Sequence, residues 1–392
     1  MPRTNCGQEF QPTTHPSHEI LPTVTHIALA RPNITQAEID AVVAVLETPS
    51  LSLGPKLGEF EASFRAYCGT AQAVACSSGT AALHLLMQAL GLGPGDEVIT
   101  TPFSFVASAN CVLMVGAKPV FVDIDPATWN IDPKLIDSVV TQRSKAIIPV
   151  DVFGQPADMD AIASIARKHS LTVIEDSCEA LGSRYKDRPA GSLGDAGVFG
   201  FYPNKQITTG EGGMIVTDNV ALAEVCRSLR NQGRDGGGWL AHQRLGYNYR
   251  LSDLNCALGI VQLRRIEEIM AARTRVAKWY LERLEGEARV SVQRRSPDTT
   301  MSWFVFVVRL SDEYEAQDRD RMLQALAHDG IGCSNYFAPI HLQPFYVERF
   351  GFQPGDFPIC EATAARTMAL PFHHQVSEGD VDAVCRKLHQ LL

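Results

Sequence analysis

Between residues 71 and 217, short apolar runs alternate with helical stretches, and this alternation constrains the fold more than any other feature. Runs of strand length fall at 71–76, 97–101, 119–122, 146–150, 172–175, 198–201 and 213–217. Helical spacing fills 80–90, 104–115, 133–140 and 159–169 between them. Strands that read as near-continuous apolar runs are buried on both faces, and parallel neighbours need crossover helices. The pattern therefore predicts an α/β fold with a mostly parallel sheet between helices. A sheet of this kind binds ligands outside the carboxyl ends of its strands.

Two helices are predicted upstream. In 35–47 the residues Ile39, Val42, Val43 and Leu46 share one face; in 57–68 Phe60, Phe64 and Tyr67 do so. Downstream, helices are predicted at 221–230, 252–284, 319–329 and 381–391. A strand is expected at 300–310, where Phe304, Phe306 and Val308 alternate, and 330–335 leads into another short strand. The tail reads as a smaller α+β domain. The expected division is an N-terminal arm at 1–26, read as mobile, a large domain at 27–265 and a small C-terminal domain at 266–392.

Composition narrows the function classes. The 392 residues carry a formal net charge of −9 without a long Lys/Arg block, so nucleic acid is not an expected partner. No run of eighteen apolar residues suggests a membrane span, and the polar N-terminus lacks the apolar core of a signal peptide. The ten cysteines form no CxxC pair, which reads as a reduced, cytoplasmic protein. His15, His18 and His26 lack metal-site spacing, and no metal is expected.

Three motifs carry chemistry. Lys205 sits in a loop between two apolar strands, preceded by Pro203-Asn204 and followed by Thr208-Thr209-Gly210. Asp176 ends the apolar strand 172–175. Gly79-Thr80-Ala81 opens a helix after a strand. A desolvated lysine is a nucleophile and a proton shuttle, and a poorly solvated carboxylate can hold a pyridinium nitrogen protonated. The free N–H groups of a helix start suit a phosphate dianion. Together they match the needs of pyridoxal 5′-phosphate (PLP), whose ring drains electrons from a substrate carbon. Phe105, after a strand end, is a candidate to stack on that ring. Glu175 should point to the opposite face of its strand from Asp176. The glycine-rich run 233–238 lacks the spacing of a phosphate-binding P-loop and reads as a flexible loop.

Further residues extend the pattern: Gly54-Pro55-Lys56 with Phe60-Glu61, Ser78 to Leu83, Ile174-Glu175-Asp176, Thr208 to Gly213, Gly246-Tyr247-Asn248-Tyr249-Arg250, and His341-Leu342-Gln343-Pro344. On these the chain resembles the DegT/DnrJ/EryC1/StrS group of PLP-dependent nucleotide-sugar aminotransferases, of fold type I, from about Ile27 to the C-terminus. The resemblance implies that Lys205 is the Schiff-base lysine and Asp176 the partner of the ring nitrogen. It implies that Gly79, Thr80 and Ala81 hold the phosphate, that Phe105 covers the ring and that Glu179 lies near the cofactor. Asn248 would reach the phosphate in a neighbouring subunit, which implies a homodimer with shared sites. Tyr202, Tyr336 and His341 are expected to contact substrate. Two positions depart from the group's pattern: Gly200 stands where Ser is common, and Tyr202 where His is common.

The activity implied is transfer of an amino group from an amino acid, L-glutamate, to a nucleotide-linked keto-sugar in polysaccharide, lipopolysaccharide or glycoside biosynthesis. Two alternatives are a sugar dehydratase, whose branch of the group replaces the lysine with His, and a non-catalytic regulator that has kept the fold. Lys205 speaks against the first, and the joint presence of Lys205, Asp176 and Thr80 against the second.

Overall fold

In the computed structural model, residues 26–238 and 240–392 are described. The N-terminal arm expected at 1–26 lies, save its last residue, outside them. Helices α1 (Gln36–Leu46) and α2 (Pro55–Cys68) lead into β1 (Gln72–Cys76), α3 (Gly79–Ala89), β2 (Glu97–Thr100), α4 (Ala107–Met114) and β3 (Lys118–Phe121). There follow α5 (Pro133–Ile136), β4 (Ser144–Ile148), α6 (Met159–His169), β5 (Thr172–Asp176), β6 (Arg184–Tyr185), β7 (Arg188–Pro189), β8 (Ala196–Gly200) and β9 (Gly213–Thr217). The caps are local. The Ser78 hydroxyl accepts the Ala81 N–H at 3.0 Å to start α3, and Gly69, at φ 69°, closes α2 in the left-handed conformation that glycine adopts without a Cβ penalty.

Seven strands form one sheet in the order β1-β9-β8-β5-β4-β2-β3. Every pairing from β8 to β3 is parallel, while β9 runs antiparallel to both β8 and β1. The carboxyl ends of β1, β2, β5 and β8 therefore meet at one edge, where each predicted cofactor motif emerges. Apolar clusters fill both faces: Leu83, Leu86, Val112 and Ala223 on one side, Phe60, Phe64, Phe201 and Ile260 on another.

Beyond the sheet, α7 (Val220–Arg230), α8 (Asp253–Arg264) and α9 (Ile266–Leu284) lead to β10 (Val290–Val292), β11 (Thr299–Thr300), β12 (Phe306–Leu310) and α10 (Ala316–His328). The chain closes with α11 (Pro344–Phe350), α12 (Pro358–Arg366), β13 (Thr367–Leu370) and α13 (Glu378–Leu391). An antiparallel sheet of order β10-β12-β13 is buried in an apolar cluster that also includes Phe103, Trp129 and Phe153, so this part packs directly on the large sheet's carboxyl edge. Among the described residues, no helix is long and apolar enough to cross a membrane.

Three expectations change. The strand expected at 300–310 is split. Thr299–Thr300 pairs with β6, and Trp303, at φ 49°, turns the chain before β12 begins. Phe304 leaves the ladder and enters the site described below. The single helix expected at 252–284 breaks between Arg264 and Ile266 into α8 and α9. On α1 the predicted apolar face points outward: Ile39, Val43 and Leu46 are exposed, while Glu38 and Val45 are buried against α8. Glu38 turns inward because Gln262 and Arg265 supply partners for its carboxylate.

Candidate active site

A cavity of about 510 Å³ opens at the carboxyl edge of the sheet. Its wall takes Gly79 and Thr80 from the start of α3, Phe105 from the loop after β2, Asp176 and Glu179 from the end of β5, and Tyr202 and Lys205 from the loop after β8. Phe304 and Tyr336 close it from the C-terminal part. Segments far apart in sequence thus converge because parallel strands deliver their following loops to the same edge.

Lys205 is pinned at its backbone: its N–H donates to the Tyr202 carbonyl at 2.9 Å. Its Nζ lies 3.6 Å from Glu179 Oε1 and 4.0 Å from the centroid of the Phe304 ring. The side chain is 16% exposed, so the amine is shielded yet reachable from the cavity. Glu179 Oε2 accepts the Phe153 N–H at 2.9 Å. Burial pushes the Glu179 carboxyl above its ordinary value, against the opposing pull of the lysine charge.

Asp176 is buried and well supported. Oδ2 accepts the Ser108 hydroxyl at 2.7 Å, Oδ1 accepts the Cys178 N–H at 3.3 Å, and Ser108 Oγ is 2.9 Å from Ser104 Oγ. Glu175 takes the other face, where Oε2 accepts the Leu193 N–H at 2.9 Å. Burial raises both Glu175 and the neighbouring Asp151, which also feels Glu175's charge.

At the helix start, Gly79 and Thr80 occupy the first turn, whose N–H groups have no intrahelical acceptor. A Cβ on Gly79 would come within 2.8 Å of Cys178 Sγ, so glycine permits the close approach of α3 to the loop after β5. Phe105 is 62% exposed at the mouth, and Tyr202 is also exposed there. Tyr336 is half-buried in the wall, where burial raises its phenol above the ordinary value.

Three expected site residues lie elsewhere. Ala81 does not line the cavity, and its N–H is taken by Ser78 Oγ. His341, expected to contact substrate, is not among the residues lining the cavity. It is fully buried, with Nε2 3.0 Å from Glu361 Oε1 and its ring packed on Phe357. Asn248 is exposed outside this chain's cavity and bridges to Asn231. Sequence reasoning missed Ser108 and Phe304. Ser108 carried a faint signal, standing four residues after Ser104 in a predicted helix. Phe304 was visible only as a strand residue.

A lysine beside a carboxylate in a cavity floored by a second buried carboxylate and opened by a helix start is the arrangement of a PLP-dependent aminotransferase. The chain belongs to the DegT/DnrJ/EryC1/StrS aminotransferase family, whose model matches residues 32–389. It is 40% identical over 371 residues to a GDP-perosamine synthase of Caulobacter vibrioides, covering 93% of this chain and 98% of the relative. It is 38% identical to the spore coat polysaccharide biosynthesis protein SpsC of Bacillus subtilis, covering 92% and 96%. Among solved structures it is similar to the PMP form of the putative sugar aminotransferase Spr1654 from Streptococcus pneumoniae. There the TM-score is 0.90 at 29% identity, covering 93% of this chain and 97% of that one.

Proposed function

We propose that the protein moves an amino group from L-glutamate to a keto-sugar carried on a nucleotide. The observation that carries this reading is the placement of Lys205 Nζ in one cavity with Asp176 and the open start of α3. The relative named for GDP-perosamine synthesis supports a GDP-linked substrate, and SpsC supports a place in polysaccharide biosynthesis.

The residues present fit PLP. A buried carboxylate faces the cavity, a helix start with a glycine offers donors to an anion, and an aromatic ring stands at the mouth. When bound, PLP supplies a conjugated ring that accepts the electron pair left when a proton departs from the substrate carbon. Asp176, oriented by Ser108 and the Cys178 amide, would hold the ring nitrogen protonated. Gly79, Thr80 and the α3 N-terminus would hold the phosphate, and Phe105 would cover the ring. Lys205 would bind the aldehyde carbon and, once freed, would carry a proton between the substrate carbon and that former aldehyde carbon of the cofactor. Its counter-charge Glu179 sits 3.6 Å away, and Phe304 limits where the amine can swing. Tyr202 and Tyr336 flank the space left for the sugar.

The chain is read as a homodimer with shared sites. Ile39, Val43 and Leu46 of α1 form an exposed apolar strip with Leu51 and Leu53 nearby, a surface that a second copy would cover. Asn248, outside its own cavity, would then reach the partner's phosphate. Mixing Lys205→Ala with Asn248→Ala chains should restore activity that neither variant has alone; no restoration speaks against shared sites.

The activity is tested by supplying L-glutamate and a panel of nucleotide-linked keto-sugars to the PLP-loaded protein. Release of 2-oxoglutarate that depends on the keto-sugar, strongest with GDP-linked forms, supports the proposal. Turnover confined to simple keto acids overturns the sugar assignment.

A further inference from the structure

Arg273 on α9 is 5% exposed and, among the described residues, forms no ion pair with a carboxylate. Its Nη2 donates to the Lys205 carbonyl at 3.1 Å and to the Asn204 carbonyl at 3.4 Å. Nη1 has no acceptor, and the guanidinium carbon lies 5.5 Å from the Phe372 ring centroid. Burial pushes the guanidinium down to about 10.

A buried cation without a counter-ion is costly, and an apolar residue of similar length would fill the same space without that cost. What the arginine does that an apolar residue could not is hold two successive carbonyls of the lysine loop. Gln206 and Thr208 anchor the loop further on, through Glu179, Ser302 and Gln262, but among the described residues the Asn204 and Lys205 carbonyls have no other donor. The Lys205 N–H closes a turn to Tyr202, but residues 202–205 belong to no strand, so their carbonyls have no ladder partners. The position of Nζ between Glu179 and Phe304 depends on where the Lys205 backbone stands, and a charged donor on its carbonyl fixes that point from the buried side.

We infer that Arg273 is a positioning residue for Lys205, clamping the backbone from which the reacting amine extends. This rests on the reading of Lys205 as the reacting group, and the test separates the two. In the full chain, Arg273→Met keeps most of the volume and removes the donors; Arg273→Lys keeps a charge and a single donating nitrogen. Hydrogen–deuterium exchange on the cofactor-free proteins reads the clamp directly. For Arg273→Met the segment 201–209 should exchange about 10-fold faster, with the rest of α9 and the large sheet unchanged. With PLP added, turnover per mole of bound cofactor should fall about 100-fold, with KM for both substrates within about 2-fold. Arg273→Lys should recover a large part of both losses. Unchanged exchange in 201–209, or unchanged turnover per bound cofactor, overturns the clamp. So does exchange that rises uniformly over the molecule, or failure of both variants to fold, since these mark a merely structural residue. If Lys205 proved not to react with PLP while 201–209 still loosened in Arg273→Met, the catalytic reading would fail and the clamp would stand.

Discussion

Glu38 and Glu179 are both buried glutamates, yet their surroundings act on them in opposite directions. At the seam of α1 and α8, the Glu38 carboxylate accepts the Thr35 N–H at 2.7 Å, Gln262 Nε2 at 2.9 Å and Arg265 Nη1 at 2.6 Å. Burial alone would raise its pKa, but these bonds bring it down to about 2. At the cavity, Glu179 has one backbone N–H and a lysine 3.6 Å away, and there burial prevails. A charge that holds the fold together is closed off by donors. A charge at the site is left with spare capacity, beside a base that must move. Under-satisfaction at the cavity is where stability is given up for chemistry.

The largest effects should fall on the under-satisfied side. Lys205→Ala should lower turnover on the order of 10⁴-fold while the melting temperature changes little, because the lysine is used in reaction and not in packing. Asp176→Asn keeps the Ser108 contact but removes the charge, and turnover should drop on the order of 10²–10³-fold in steady-state assays. If both variants were instead strongly destabilised and kept their activity per folded molecule, the contrast would be reversed.

Next in size is the closed network. Glu38→Ala takes a partner from Gln262 and from Arg265, which keeps its pair with Glu268, and should cost about 1–3 kcal/mol in denaturant unfolding, with catalysis of the folded protein unaffected. The sign with pH follows from the direction of the shift. Glu38's folded value lies below the ordinary 4.5, so its contribution is complete above that pH and is lost as pH falls towards about 2. The gap between wild type and variant should therefore narrow on acidification.

Glu179 should show the opposite sign. Its folded value is raised, so its contribution is complete below 4.5 and is lost as pH climbs through the folded value. Glu179→Gln removes that titration. As pH rises above 4.5 the variant's stability should fall less than wild type's. Parallel pH profiles for the two proteins would break the comparison. The smallest effect is expected at Gly200, where a Cβ would meet Cys178 Sγ at an ordinary 3.5 Å. Gly200→Ser should be accommodated and, by offering a hydroxyl beside the α3 start, tighten PLP binding about 2- to 10-fold in a titration.

The parallel sheet, the cavity's position and the two central residues were legible in sequence because their signals are local. An apolar run ends in Asp176, a helix begins at Gly79, and a lysine stands between two strands. What was not legible depends on chain segments meeting from a distance. Phe304 lines the cavity only because Trp303 turns the chain out of the strand, and Arg273 acts on Lys205 only through the packing of α9. The outward face of α1 shows the same limit. Its apolar spacing is real, but a partner supplied by Arg265 draws the acidic residue inward and leaves the apolar strip outside. His341 was expected to contact substrate because of the motif around it, and its environment of Glu361 and Phe357 became visible only in three dimensions.

The central claim is that Lys205 is the group that bonds the cofactor, and the most direct measurement is borohydride reduction of the PLP-loaded protein followed by peptide mass mapping. The cofactor's mass should appear on the peptide containing Lys205 in the wild type and on no peptide of Lys205→Ala. Modification at another lysine, or none in a wild type that retains PLP, would contradict the account.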